Sequence, residues 1–590
     1  MYRSVTTRWW MLAIAWAAMA ARHVGAQEAL DAFPESAAAV ARVSSLEKFS
    51  GNFRELTSAI GSVAAIGGPL FENAINEAFQ VADDAGAVDR KQPAYVAVFA
   101  LEDEQEPVAW LVQASDEAKL QRAVAKAGAD ETLSPEKIDG GLTKVSRAGR
   151  DSFFGRHGPW TFYTHNEAVA RLLVFDRSQQ ATFSRVVEPR AKELLDKRDG
   201  AVVINAALLT KKYADKLQEL RERVARQIDS LPDSALGGGG TGSNNPEAIK
   251  KLYSDLAGLA FDAANDARWA AVAVNFSAAG AKLTALLGVE KDSGVDHLLA
   301  ARSPGPLETL GLLPSGAAVY YGYEAAYGQI ANWTRDWTKV AYGDTPAGKK
   351  INAALEKMQE AGLGPAVGSF ALNPGGGLVT MTLYQAEQPE KLREALAGYQ
   401  TASEQKSPLF TQKLEFKPKA ETYQNHSVDL LTSNFEFADV TDEGQRIGQK
   451  LIEKMFGGTK LLIRFASLEG LSLQVGANDP KHLHQAIDGL GSGEGVLGLE
   501  DAFAKTRDEL GEDANLVVLL NAPQLIVDVV ALLRDIPPFS MGLAKAPFNF
   551  GARPAVSFSG LSLKTEPQAL RLQLYVPVEQ PKGVLQIFGQ

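Results

Sequence analysis

Phe33-Pro34-Glu35-Ser36-Ala37-Ala38-Ala39-Val40 and Leu313-Pro314-Ser315-Gly316-Ala317-Ala318-Val319 follow one pattern. Each has an apolar residue, a proline, two small or polar residues and an alanine-rich run, leading into a strand and then a helix. Downstream, Phe99-Ala100-Leu101, a polar turn and Val108-Ala109-Trp110-Leu111-Val112 precede a helix with Lys119-Leu120. The counterpart is Phe370-Ala371-Leu372, a glycine-rich turn from Pro374 to Gly377, the run Leu378 to Leu383 and a helix with Lys391-Leu392. Val202-Val203-Ile204-Asn205-Ala206 matches Val518-Leu519-Leu520-Asn521-Ala522, and a closing hairpin from Ala267-Arg268 resembles one from Ala552-Arg553. Four matches in one order predict two tandem copies, 27–303 and 304–590. Ser303-Pro304-Gly305-Pro306 sits at the junction, as a turn or linker should.

Within each copy two strands joined by a tight turn precede an amphipathic helix. Ser115-Asp116 offers an N-cap, and Leu120, Ala123 and Val124 form a stripe at helical spacing. Antiparallel hairpins interleaved with helices predict an α+β fold: two internally duplicated domains, each a mainly antiparallel sheet with packed helices. The sheet is expected to carry helices on one face and to leave the other to solvent or to the second copy.

The copies differ in their insertions. The first has an extra helical hairpin at 206–263. One stripe holds Leu209, Tyr213, Leu217, Leu220, Val224, Ile228 and Leu231; the return stripe, opened by Asn245-Pro246, holds Ile249, Leu252, Tyr253, Leu256, Leu259 and Ala260. Thr210 to Leu231 and Pro246 to Ala263 are expected to bury these stripes against one another, around a glycine-rich tip at Gly237 to Ser243. The second copy is longer at about 421–460, where a helix from Thr441 to Phe456 is predicted, ended by Gly457-Gly458.

The 590-residue chain suits two to four domains and has an ordinary globular composition. Its net charge of −11 argues against a nucleic-acid partner. The absence of cysteine excludes disulfides, thiol nucleophiles and cysteine-ligated metals. Arg3 and Arg8 followed by the short apolar run Trp9 to Ala17 read as a signal peptide, 1–26, cut after Ala26; a cut after Ala20 and an uncleaved anchor are the other readings. No other run is apolar enough to span a membrane after signal removal. A periplasmic or extracellular location is expected.

The chemical motifs are incomplete. Gly237 to Ser243 lacks the lysine of a phosphate loop. Ser45-Leu46-Glu47-Lys48 and Ser134-Pro135-Glu136-Lys137 have the Ser-x-x-Lys spacing but no companion motifs. His482 and His484, two apart on a helix, diverge and cannot readily share an ion. No metal, cofactor or catalytic residue is assigned. Two aromatic regions are candidates for a ligand or partner surface: Trp333 and Trp337, four apart on one helix face, and Phe539 and Phe548, in the proline-broken stretch from Ile536 to Phe550.

The signal segment, the Phe33 to Val40 and Leu313 to Val319 openings, and hairpin–helix units such as Tyr95 to Val124 resemble those of a loosely defined group of large exported bacterial proteins of uncharacterised function. The resemblance implies export and an α+β fold, and transfers no active site. The chain therefore reads as an exported non-catalytic binding or scaffolding protein of the periplasm or cell surface, with partner and ligand open. A hydrolase with carboxylate chemistry in an inter-domain cleft and a carrier of a hydrophobic ligand are the alternatives.

Overall fold

The computed structural model describes residues 29–81, 84–101, 107–128, 131–174, 181–232, 246–301, 303–324, 327–373, 377–402, 410–437, 443–534, 536–537, 539–543, 548–549 and 554–589. The signal segment, the acidic turn 102–106 and the glycine-rich tip lie outside them. The protein is an α+β fold of antiparallel strands and helices. Two compact units emerge. The first runs to Gln218 and adds Asp262–Leu299 and Pro567–Val578; the second takes Glu219–Phe261, Ala300–Glu566 and Glu579 onward.

The first ten strands are β1 (Ala37–Val43), β2 (Ala94–Phe99), β3 (Val108–Val112), β4 (Glu136–Ile138), β5 (Leu142–Arg147), β6 (Arg150–His157), β7 (Trp160–Thr164), β8 (Gly200–Ile204), β9 (Ala267–Ser277) and β10 (Gly280–Val289). The next ten are β11 (Val319–Tyr323), β12 (Leu363–Asn373), β13 (Gly377–Ala386), β14 (Phe410–Tyr423), β15 (His426–Phe437), β16 (Lys460–Leu468), β17 (Leu471–Gly476), β18 (Leu516–Leu520), β19 (Ser559–Glu566) and β20 (Ala569–Pro577).

In unit 1 the order is β4-β5-β6-β7-β3-β2-β1-β8-β9-β10-β20, antiparallel throughout. In unit 2 it is β14-β15-β16-β17-β13-β12-β11-β18-β19. The second order repeats the first nine places of the first, ten strand numbers on. Register agrees as well. Val40 pairs with Ala97 and Val203, and Tyr320 pairs with Ser369 and Leu519. Hydrogen bonds recur too: Asn205 N–H donates to Ala38 O and Asn521 N–H to Ala318 O, both at 2.8 Å. The equivalent of Phe370 is Val98 rather than Phe99, since Val98 and Phe370 pair with Ala39 and Val319; a bulge at Ala37/Ala39 supplies the one-residue slip. β20 pairs along β10 from Gly280–Pro577 to Gly288–Ala569, covering the backbone groups of that strand's outer edge.

Both faces of the unit 1 sheet are packed, contrary to the one-sided expectation. Alternation sends Val40, Tyr95, Leu111, Phe162 and Val203 to one side, against Leu173 and Leu194 of the helices Glu167–Leu173 and Pro189–Lys197. Val43, Val96, Trp110 and Tyr163 go to the other. There they meet Leu46 and Phe49 of α1 (Leu46–Ile60), Ile75 of α2 (Gly67–Ala78) and Leu120 of the helix Glu117–Ala125. That last helix begins as the sequence implied, Asp116 accepting from Lys119 N–H at 3.0 Å. Arg42 is fully buried in this sheet, with Nε donating to the Tyr95 hydroxyl at 3.2 Å and Nη1 to Leu195 O.

After β8 come α3 (Ala206–Lys212), α4 (Ala214–Asp229) and α5 (Pro246–Asp266). Unit 2 carries α6 (Tyr327–Tyr342), α7 (Pro346–Glu360), α8 (Pro389–Gln400), α9 (Glu443–Phe456), α10 (Ala522–Leu533), α11 (Phe539–Leu543) and α12 (Glu579–Ile587). One of its cores packs Ile351, Leu355 and Met358 of α7 and Leu392 and Leu396 of α8 on Leu431 and Phe465 of the sheet. The extra length expected of the second half of the chain goes into the long β14–β15 hairpin as well as into α9. Gly457 and Gly458 follow α9 at φ +66° and +139°, where a side chain is disfavoured.

Candidate functional site

The helices inserted after β8 carry several of the exposed large apolar side chains among the described residues. Their root is tightly specified. The Asn205 side chain accepts from Leu208 N–H at 3.0 Å and donates to Glu35 O at 3.2 Å. Lys212 reaches Ala100 O. The expected single helix from Thr210 is two, starting earlier and interrupted at Tyr213, whose φ/ψ of −109°/23° leaves the helical region. On the solvated side Glu219 pairs with Arg223 at 2.8 Å, and Lys251 with Asp255 at 2.7 Å.

The apolar stripes do not bury one another. Leu220 is 44% exposed, Tyr253 47%, Leu256 50% and Leu259 46%. Of the two stripes, only Ile228 and Ile249 are buried. Periodicity set which face is apolar, but it did not supply a cover for it. The packed helical hairpin expected from the sequence is therefore corrected to an arm with an open apolar face.

The aromatic candidates separate. Trp333 lies in α6, but its side chain falls outside the described residues. Trp337 is half-buried, edge-on to Tyr342 at 6.3 Å, and its indole N–H is buried without an acceptor. Phe539 opens α11 and is 41% exposed. Phe548 is half-buried and packs on Phe588 at 5.0 Å, while Asn549 N–H donates to Ile587 O at 2.7 Å. That loop is thus held to its own unit at one end and exposes Phe539 at the other. Among the described residues, the rings of Trp337 and Phe548 meet different partners, Tyr342 and Phe588.

The motif residues are engaged structurally. Ser45 caps α1, its hydroxyl accepting from Lys48 N–H at 3.1 Å and donating to Arg90 O at 2.9 Å. Lys137 Nζ donates to Thr143 at 2.7 Å. His484 stacks on Tyr423 at 3.9 Å, and burial holds the His482 imidazole below its usual pKa. Among the described residues no group of three or more His, Asp or Glu could hold a metal ion. Nor is any described helix long and apolar enough to cross a membrane.

Buried carboxylates escaped sequence reading, Asp528 among them. Asp528 sits in α10, the most apolar helix, and burial pushes its carboxyl up to about 6 against one helping hydrogen bond from Gln524 at 2.7 Å. Its spacing from Gln524, four residues earlier, was the available signal.

No known protein family and no curated protein sequence matches the chain. Two solved structures are similar over part of it. Crystal form III of TP0453 is 11% identical with a TM-score of 0.23, covering 45% of this chain and 80% of that one. Form IV is 10% identical with a TM-score of 0.21, covering 45% and 83%.

Proposed function

We propose that this is an exported, non-catalytic docking protein, built from two copies of one α+β scaffold, that holds a partner protein on the α4–α5 arm. The open face of Tyr253, Leu256 and Leu259 carries the reading. A contiguous apolar face left uncovered is a typical mark of an interaction site. The arm's polar side mixes acids and bases in Glu219–Arg223 and Lys251–Asp255 pairs. That favours an apolar protein surface over an anionic lipid surface, which selects helices rich in Lys and Arg. Among the described residues no equivalent arm follows β18, which fits an accessory binding device rather than a part the scaffold requires.

A photo-crosslinking side chain at position 256, introduced into the full chain in its native host, tests this. A discrete adduct with one protein is expected, absent when the same group replaces Lys251 on the charged side. Equal or no labelling from the two positions contradicts it.

A further inference from the structure

A cleft of about 620 Å³ opens in unit 1 over the outer face of α1, far larger than a packing void and within the range of small-molecule sites. Two hydrogen bonds to Arg90 O, from Ser45 Oγ and from Glu47 N–H at 3.0 Å, fasten the 89–92 turn to the start of α1, so Lys91 lines the cleft with Glu47. Most of the cations there are already matched. Glu72 takes both Arg54 and Arg90, Asn76 accepts from Arg90 at 2.6 Å, and Lys48 reaches the buried Asp199 at 3.7 Å. Among the described residues, Lys91, Glu47 and Glu55 line the same cleft with no ion-pair partner.

Two more observations mark the cleft as a place for a ligand. Gly51 lies on α1 between Glu47 and Glu55, one turn from each, and a Cβ built there would meet nothing within 4 Å. A glycine inside a helix costs about 1 kcal/mol relative to alanine, and here it leaves the backbone bare at the cleft wall. Ser50, also in the wall, is buried with its hydroxyl unpartnered.

We propose that this cleft binds a small zwitterion, a molecule bearing both an ammonium and a carboxylate. The carboxylate meets Lys91, and the ammonium meets Glu47 or Glu55. A purely anionic ligand would face two unpaired carboxylates, and a purely cationic one would face the unpaired Lys91. Free amino acids and short peptides share this chemistry, and the volume admits both.

The test is calorimetric titration of the full mature chain with L-alanine, trialanine, succinate and putrescine. Alanine or trialanine should bind, and whichever binds more tightly identifies the source. Succinate and putrescine should bind at least tenfold more weakly. Gly51→Trp should abolish binding, Lys91→Glu should weaken it at least tenfold, and Gly51→Ala should retain it. A circular-dichroism spectrum and Tm of the Gly51→Trp protein matching the parent show that its loss of binding is not a folding defect. Binding of succinate or putrescine as tight as that of the zwitterions, indifference to Gly51→Trp, or no heat from any probe overturns the proposal.

Discussion

The helix after β8 and the helix after β18 start on the same bonds and end in opposite situations. Asn205 and Asn521 each cap the first turn through a side-chain oxygen, and each donates its own N–H to the strand beside it. After β18 the chain turns inward: Pro523 and Val530 of α10 are buried, and Gln580 from α12 accepts from Ala522 N–H at 3.0 Å. After β8 the chain runs out through α3 and α4 to α5 and leaves leucines and a tyrosine half-exposed. One start thus serves two ends, packing in one case and display in the other. What separates them is whether a later segment returns to cover the apolar face.

The contrast is sharpest where a charge is forced onto each helix. Val530→Asp should destabilise unit 2 by about 3–5 kcal/mol, because the new carboxylate is buried without a partner. Denaturant unfolding monitored by circular dichroism gives the value. A cost below about 1 kcal/mol would remove the packed half of the comparison.

Asp528 provides the next effect. Its native pKa of about 6 lies above the ordinary carboxyl value, so the folded state binds the proton more tightly than the unfolded state. Stability from this group is therefore greatest below about pH 4 and falls as pH rises toward 6, by roughly 2–3 kcal/mol. Asp528→Asn should flatten that window and be the more stable protein at pH 7. Parallel pH profiles of the two proteins would contradict the assignment. The caps come third: Asn205→Ala and Asn521→Ala should each cost about 1 kcal/mol, and nearly equally, since the bonds removed are alike.

Elements whose specification is local were legible in the sequence. Hairpins, the cap at Asp116 and the glycine stop at Gly457 depend on neighbouring residues, and the sequence shows them. Pairings made far along the chain were not. β20 alternates like any half-buried strand, yet its place beside β10 in unit 1 is decided by the backbone groups of an open edge, which leave no side-chain signal. Arg42 is buried beside Tyr95 and Leu195 O, partners 53 and 153 residues away that no local pattern points to. At the corresponding place in β11 stands Gly322, where a Cβ would come within 3.1 Å of Val367, so the two strand sets solve one crowded position in different ways. The candidate surface was half legible: the stripe was visible, its lack of a cover was not. The zwitterion cleft was hidden because α1, Glu72 and the 89–92 turn assemble it from separate segments.

The smallest effects belong to the arm. Leu220→Asp should shift stability by less than about 0.5 kcal/mol, because a half-exposed site lets the carboxylate keep its water. The central claim is that the arm's apolar face serves a partner and not the fold. Thermal unfolding of the purified triple variant Tyr253→Ser, Leu256→Ser, Leu259→Ser tests it most directly. The account predicts a Tm within about 2 °C of the parent. A fall of about 8 °C or more would show that these side chains hold the protein's own structure together, and would contradict the claim.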